Sequence, residues 1–186
     1  MSRILTVDIG AGTMDVLYLD TRRSEYFKAV VQSPVASLAR QIEAAPGKLL
    51  LLGREMGGGA VSKAVKERAQ NGDVVMARSA FPTIHHDLDR VRSAGIRVLE
   101  DEAAGAMARE GDCSVIELGD LSVRRLREIV RGFDVPFTFD VVGVCAQDHG
   151  VPPRGDSHLD HRHRHLRAVL ETTPFPHAFL HRAENL

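Results

Sequence analysis

The feature that most constrains the fold is a pair of short apolar runs, residues 4–9 and 16–19, on either side of a Gly-Ala-Gly-Thr turn. Two β-branched runs around a glycine-rich turn predict a β-hairpin. Glycine permits φ > 0 and lets a bulky anion approach backbone N–H groups. Thr13 adds a hydroxyl donor, and Asp8 can hold a hydrated cation. We therefore predict that residues 10–13, which we call the phosphate turn, bind phosphate and that Asp8 holds Mg²⁺ beside them. The alternative is a glycine-rich hairpin with no binding role.

The rest of the chain alternates between strand and helix signals. Glu25–Gln32 continues the antiparallel meander, and Ser33-Pro34 predicts the cap and first residue of a helix that reaches about Ala45. The remaining strands are predicted at residues 48–52, 73–77, 96–100, 113–118 and 138–146, with helices at 60–70, 85–93, 102–108, about 120–133 and 157–171. This pattern predicts an α/β fold with βαβ units from residue 48 onward.

Three segments carry a family resemblance. Asp8-x-Gly10-x-Gly12-Thr13 resembles the first phosphate motif of the actin, sugar-kinase and heat-shock-chaperone ATPase superfamily. With residues 56–60 and 142–150, the chain more narrowly resembles an uncharacterised family labelled "putative pyruvate formate-lyase activating enzyme". The superfamily resemblance implies a ribonuclease H-like N-terminal lobe with a mixed sheet, ATP and Mg²⁺ as cofactors, and a role for Asp8, Gly10, Ala11, Gly12 and Thr13 in binding them.

The resemblance also implies a domain organisation. Residues 1–156 would form the lobe, with an α/β subdomain inserted at about 33–119. Residues 157–186 would form a His- and Arg-rich helix and a tail that lead to a second lobe, which we expect to be absent from this chain.

A second glycine-rich segment lies between a predicted strand and helix. Gly57, Gly58 and Gly59 would place backbone N–H groups at a helix N-terminus, where an anion is favoured. Close packing of the strand against the helix explains the same three glycines equally well. Neither the dinucleotide fingerprint nor a P-loop is present.

Three polar residues follow the last predicted strand. Gln147, Asp148 and His149 stand where α/β sheets usually bind ligands. The local pattern is similar to a sugar-facing segment of xylulokinase-like sugar kinases. That similarity implies Asp148 as a base for a substrate hydroxyl, with Gln147 and His149 orienting it. The alternative is a capped strand end with a hydrogen-bonded histidine.

Composition excludes several classes. The net charge of −1 argues against nucleic-acid binding, and no apolar run could span a bilayer. Two cysteines predict a reducing, cytoplasmic setting. Cys145 is expected in the core. His158, His161 and His165 could share a helix face and hold a metal, but neighbouring arginines favour a solvated cationic helix.

The leading hypothesis is the ATP-binding lobe of a small-molecule kinase or ATPase, inactive without a second lobe or subunit. Its acceptor substrate is not identified by the sequence. The alternative is a non-catalytic module that binds a partner or a small anion, and a metal protein built on the histidines is third. Radical pyruvate formate-lyase activation is rejected, because two cysteines more than thirty positions apart cannot supply a three-cysteine cluster motif.

Overall fold

A computed structural model describes residues 2–145, 152–153, 156–173 and 175 of the chain. The chain divides into two units, residues 1–146 and 147–186. The strands of the described residues all lie in the first unit; they are β1 Arg3–Ile9, β2 Thr13–Asp20, β3 Glu25–Gln32, β4 Leu49–Gly53, β5 Val74–Ala77, β6 Ile96–Leu99, β7 Ser114–Leu118 and β8 Val141–Cys145. Its helices are α1 Pro34–Ala44, α2 Gly59–Asn71, α3 Leu88–Ser93, α4 Asp101–Glu110 and α5 Val123–Arg131.

The first sheet is mixed and has the strand order β3-β2-β1-β8. β1, β2 and β3 form an antiparallel meander, as the sequence predicted, and β8 runs parallel to β1. Leu5, Val7 and Val16 point to one face of this sheet, where they pack against Leu126 and Val130 of α5. The apolar face of α5 therefore builds a core of its own with the first sheet.

The second sheet is entirely parallel and has the order β6-β5-β4-β7. Its central strand β4 consists of four leucines and a glycine, and Leu49, Leu50 and Leu51 are fully buried. Continuous apolar runs of this kind belong to parallel strands that are covered on both faces. α1 and α2 pack against each other, α3 contacts β6, and α4 contacts β4 and β5. All elements of this sheet lie between β3 and α5 in the sequence, and the mixed α/β prediction is confirmed.

Two predicted boundaries are wrong. The helix predicted from residue 85 begins at Leu88, because the Asp87 carboxylate caps it by accepting hydrogen bonds from the N–H groups of Asp89 and Arg90. A 3₁₀ turn, Phe81–Thr83, precedes it. The strand predicted from residue 138 begins at Val141. Residues 138–140 precede the strand and are not part of it, although the N–H of Asp140 donates to the carbonyl of Arg3 at the start of β1.

The second unit contains α6, His158–Thr172. Ser157 caps this helix by accepting from the N–H of Asp160, and Arg164 forms an ion pair with Asp156 at 2.6 Å. Leu159, Leu166 and Leu170 of the helix are exposed. None of the helices in the described part of the chain combines the length and apolar character needed for a bilayer span.

Candidate functional site

The phosphate turn connects β1 to β2 at the edge of the first sheet where β8 also ends. The N–H of Gly10 donates to the carbonyl of Thr13 at 2.8 Å and closes the turn. All four turn residues are exposed. Within the described part of the chain, no hydrogen bond is made by the N–H groups of Ala11 and Gly12. The turn therefore has two backbone donors available to an anion.

Gly12 leaves space around the turn. A Cβ atom at this position would meet nothing within 4 Å, whereas one at Gly10 would lie 3.3 Å from the carbonyl oxygen of Thr13. The expected φ > 0 geometry is wrong, since neither glycine has a positive φ. Neither strain nor crowding from the described residues thus requires glycine at position 12, and the missing side chain instead leaves the backbone open to approach.

Asp8 is the penultimate residue of β1, two residues before the phosphate turn begins at Gly10. It is exposed and is the cross-strand partner of Asp15 on β2. Residues directly opposite each other have Cβ atoms about 5 Å apart, so the two carboxylates repel. Lys28 compensates Asp15 at 2.8 Å. No lysine or arginine of the described chain forms an ion pair with Asp8. Asp8 therefore attracts a cation.

Cys145 is the partner of Asp8 on the other side, in β8. Contrary to expectation, it is exposed, because the described residues leave both faces of β8 largely uncovered: four of the five β8 residues are exposed. Partial desolvation of the sulfur, followed by the negative charge of Asp8 and a hydrogen bond to it, raises the pKa of the Cys145 thiol. The thiol is therefore a neutral neighbour for the Asp8 carboxylate.

Residues 57–59, which we call the triple-glycine turn, follow β4, lead into α2 and contact three neighbouring segments. Met56 N–H donates to Thr83 Oγ1 at 3.1 Å, and Gly57 N–H donates to Asp120 Oδ1 at 3.2 Å. A Cβ on Gly58 would lie 2.7 Å from the carbonyl oxygen of Thr83, and one on Gly57 would lie 3.2 Å from Val35. Packing thus gives a reason for both glycines. Anion binding at residues 57–59 stays a prediction.

The beginning of α1 contacts both turns. Ser33 N–H donates to the carbonyl of Gly12 at 3.0 Å, and two residues later Val35 lies against Gly57 and Gly59. The predictions from the sequence placed the two glycine-rich segments in separate sites and assigned Ser33 only a capping role. The signal that was available is the position of Ser33, which follows directly on the strand that pairs with the phosphate turn.

The sequence also predicted a polar site after the last strand and considered a metal site on the histidines of α6. Gln147, Asp148 and His149 lie outside the described residues. His161 and His165 are on α6, but the described residues contain no group of three or more His, Cys, Asp or Glu side chains that could hold a metal ion. A single carboxylate with bound water remains compatible with Mg²⁺, which keeps several waters in protein sites.

Comparison with models of protein families gives a match over the larger part of the chain. A family model described as "Putative pyruvate format-lyase activating enzyme (DUF1786)" matches residues 56–186. No curated protein and no solved structure matches the chain. The activity in that description would need an iron–sulfur cluster, but Cys113 is half-buried beside β7 and Cys145 is on β8 of the other sheet. Two thiols on different sheets do not fit such a cluster. Since the family model matches more than half of this chain, the chain belongs to the DUF1786 family.

Proposed function

We propose that this chain is the nucleotide-binding lobe of a small-molecule kinase or ATPase. The phosphate turn would bind the terminal phosphates, and Asp8 would position Mg²⁺ through water. The observation that carries the proposal is a juxtaposition within the described residues. There, the N–H groups of Ala11 and Gly12 make no hydrogen bond, and the nearby Asp8 carboxylate has no lysine or arginine partner. Free amides favour an anion, and an uncompensated carboxylate favours the metal that accompanies it.

The arrangement of the first sheet supports the same proposal. The antiparallel meander β1-β2-β3 comes first in the chain, and the second sheet and α5 follow it. The chain then returns to the first sheet with β8, which pairs parallel to β1. The returning strand brings the carboxyl end of β8 to the edge that carries Asp8 and the phosphate turn. Ligands of α/β proteins commonly bind beyond the carboxyl ends of strands. This topology agrees with the resemblance to the actin-like ATPase superfamily.

Electrostatics predict that phosphate binding needs the metal. Asp8 and Asp15 both stand beside the phosphate turn, and Lys28 balances only one of them. A free polyphosphate would therefore meet a net negative charge. A divalent cation held at Asp8 would reverse the sign of this interaction, so the turn should bind Mg²⁺-nucleotide much better than nucleotide alone.

When bound, Mg²⁺-ATP would supply a transferable phosphoryl group. The chain's own contribution would be to fix the phosphates through the turn amides and the Thr13 hydroxyl, and to orient the hydrated metal through Asp8. The sequence adjacent to β8 supplies Asp148 as the proposed base for an acceptor hydroxyl, with Gln147 and His149 orienting it.

The test is nucleotide-dependent stabilisation. We expect Mg²⁺-ATP to raise the thermal midpoint, since a ligand at 100 times its Kd adds about 2.7 kcal/mol to the unfolding free energy. Asp8→Asn should abolish the shift. Glu25→Gln is the matched control, because Glu25 is an exposed acid at the opposite edge of the same sheet, and it should leave the shift unchanged.

Two outcomes would count against the proposal. A shift that survives Asp8→Asn would move the binding site elsewhere. The absence of any shift with Mg²⁺-ATP would favour the alternative of a non-catalytic binding module. To make this negative result decisive, the amide signals of Ala11 and Gly12 should be followed by NMR during the same titration, because weak binding still moves them.

A further inference from the structure

Ser33 is the most completely enclosed polar residue beside the phosphate turn. It connects β3 to α1 and has no exposed surface. Its hydroxyl donates to the carbonyl of Ala11 at 2.8 Å and accepts from the N–H of Ala36 at 3.3 Å. Its own N–H donates to the carbonyl of Gly12 at 3.0 Å. One buried residue thus binds two consecutive carbonyls of the turn and, at the same time, caps a helix.

These two hydrogen bonds determine where the turn's N–H groups point. A trans peptide unit is planar, and its C=O and N–H point in opposite directions. No peptide bond in the described residues is cis. Because the carbonyls of Ala11 and Gly12 face Ser33, the N–H groups in the same two peptide units, those of Gly12 and Thr13, face away from it.

We propose that Ser33 is a positioning residue for the phosphate turn. It holds the peptide unit between Ala11 and Gly12 so that the N–H of Gly12, which makes no hydrogen bond within the described residues, is directed toward a bound di- or triphosphate. This inference rests on the proposed function and adds to it the residue that prepares the site before the ligand arrives.

A turn of this composition needs such support. Two of its four residues are glycine, which loses more backbone freedom on ordering than any other residue. If the ligand had to order the turn, that cost would be subtracted from the binding free energy. Hydrogen bonds to Ser33 would order the turn before the ligand binds, so that this entropy is not lost on binding. Ser33 can do this because its own position is fixed by burial, by the end of β3 and by the first turn of α1.

The competing explanation is that Ser33 is only a helix cap. Among the described residues of the same unit, Ser122 provides the comparison: its hydroxyl accepts from the N–H of Arg125 at 3.4 Å and caps α5, and it makes no bond to the phosphate turn. Replacing either serine by alanine removes a cap. Only the change at Ser33 also removes a hydrogen bond to the turn, so the pair separates the two roles.

The experiment uses the full chain and Mg²⁺-pyrophosphate as the probe, with binding followed through the amide signals of Ala11 and Gly12 by NMR. We expect Ser33→Ala to weaken binding about tenfold, which corresponds to the loss of one hydrogen bond. Ser33→Thr, which keeps the hydroxyl, should restore affinity to within about threefold of the original chain. Ser122→Ala should bind as the original chain does, while both alanine variants lower the thermal midpoint.

Each result decides between the interpretations. If Ser33→Ala and Ser122→Ala bind pyrophosphate equally well, Ser33 is only a cap and the inference fails while the proposed function stands. If the original chain shows no response to Mg²⁺-pyrophosphate or Mg²⁺-ATP, the proposed function fails and takes this role with it. Should Ser33→Ala not fold, Ser33→Gly replaces it, since glycine is an acceptable cap and also lacks the hydroxyl.

Discussion

Gly53 and Leu118 approach each other so closely that a Cβ on Gly53 would lie 2.1 Å from the carbonyl oxygen of Leu118. The two residues are register partners at the carboxyl ends of β4 and β7. The next residue, Arg54, donates its N–H to the same carbonyl at 3.1 Å. Gly53 also has a φ of +95°. This contact fixes the point at which the chain leaves the second sheet and enters the triple-glycine turn.

Replacing Gly53 by alanine should destabilise the protein severely. The positive φ costs about 1–2 kcal/mol for a residue with a side chain, and the clash with backbone adds to it, so we expect a total of at least about 3 kcal/mol. Gly111→Ala is the matched control. Gly111 has a φ of +81°, but nothing lies within 4 Å of its Cβ position. Urea denaturation that gives equal losses for both variants would contradict the close approach.

The core between α5 and the first sheet should depend on Leu126. This side chain is only 4% exposed, and its truncation to alanine should cost about 2–4 kcal/mol through lost burial and the cavity left behind. Leu121, just before the same helix, is 44% exposed, and Leu121→Ala should cost less than about 0.5 kcal/mol. Chemical denaturation of the two variants measures the contrast, and similar losses would show that α5 does not cover this face.

Asp101 should make a pH-dependent contribution to stability. A hydrogen bond from the Ser79 N–H, and next one from the Ser79 hydroxyl, hold the pKa of this carboxyl below its usual value. Because the folded pKa is lowered, the stabilisation is present above the unfolded pKa of about 3.9 and is lost as the pH falls through the lower, folded pKa.

We therefore expect Asp101→Asn to lower the unfolding free energy at pH 6 by less than about 1 kcal/mol, since the carboxylate is exposed to solvent. The gap between the variant and the original chain should close as the pH is lowered from about 4 to 2. Urea denaturation at several pH values gives this comparison. A gap that stays constant with pH would mean that the ionised carboxylate is not the stabilising form.

Gly12 offers a separation of stability from binding. The position has an ordinary φ and open space around it, so Gly12→Ala should change the unfolding free energy by less than about 0.5 kcal/mol. If the phosphate turn binds as proposed, the added methyl would obstruct the approach of the phosphates and weaken Mg²⁺-pyrophosphate binding at least about tenfold. Calorimetric titration beside a denaturation curve tests both halves. Unchanged affinity would place the ligand away from this residue.

Local signals in the sequence were sufficient for most of the secondary structure. Ser33-Pro34 located the start of α1 because a hydroxyl cap and a proline act within one turn of the chain. The leucine run of β4 was recognisable because a strand buried on both faces needs no alternation. The start of α3 was missed because Asp87 competes with the residues before it for the cap, and its position depends on the 3₁₀ turn that precedes it.

The arrangement of the site was less accessible from the sequence. Asp8 and the turn were identified from residue types, but the exposure of Cys145 depends on which elements pack over the faces of β8, which is a property of the tertiary arrangement. The bonds from Ser33 to Ala11 and Gly12 join residues more than twenty positions apart. Periodicity and spacing describe neighbours along the chain and carry no information about such contacts.

The parallel pairing of β1 with β8 has a consequence for biosynthesis. Arg3 and Asp140, which hydrogen-bond at the start of this pair, are 137 positions apart. On the ribosome, the opening hairpin emerges first but must wait for nearly the whole first unit before its final neighbour is made. The four-stranded parallel sheet is encoded entirely within that interval. A nascent chain would therefore complete the later sheet before the earlier one, and during the delay β1 exposes an unsatisfied edge to other molecules in the cell.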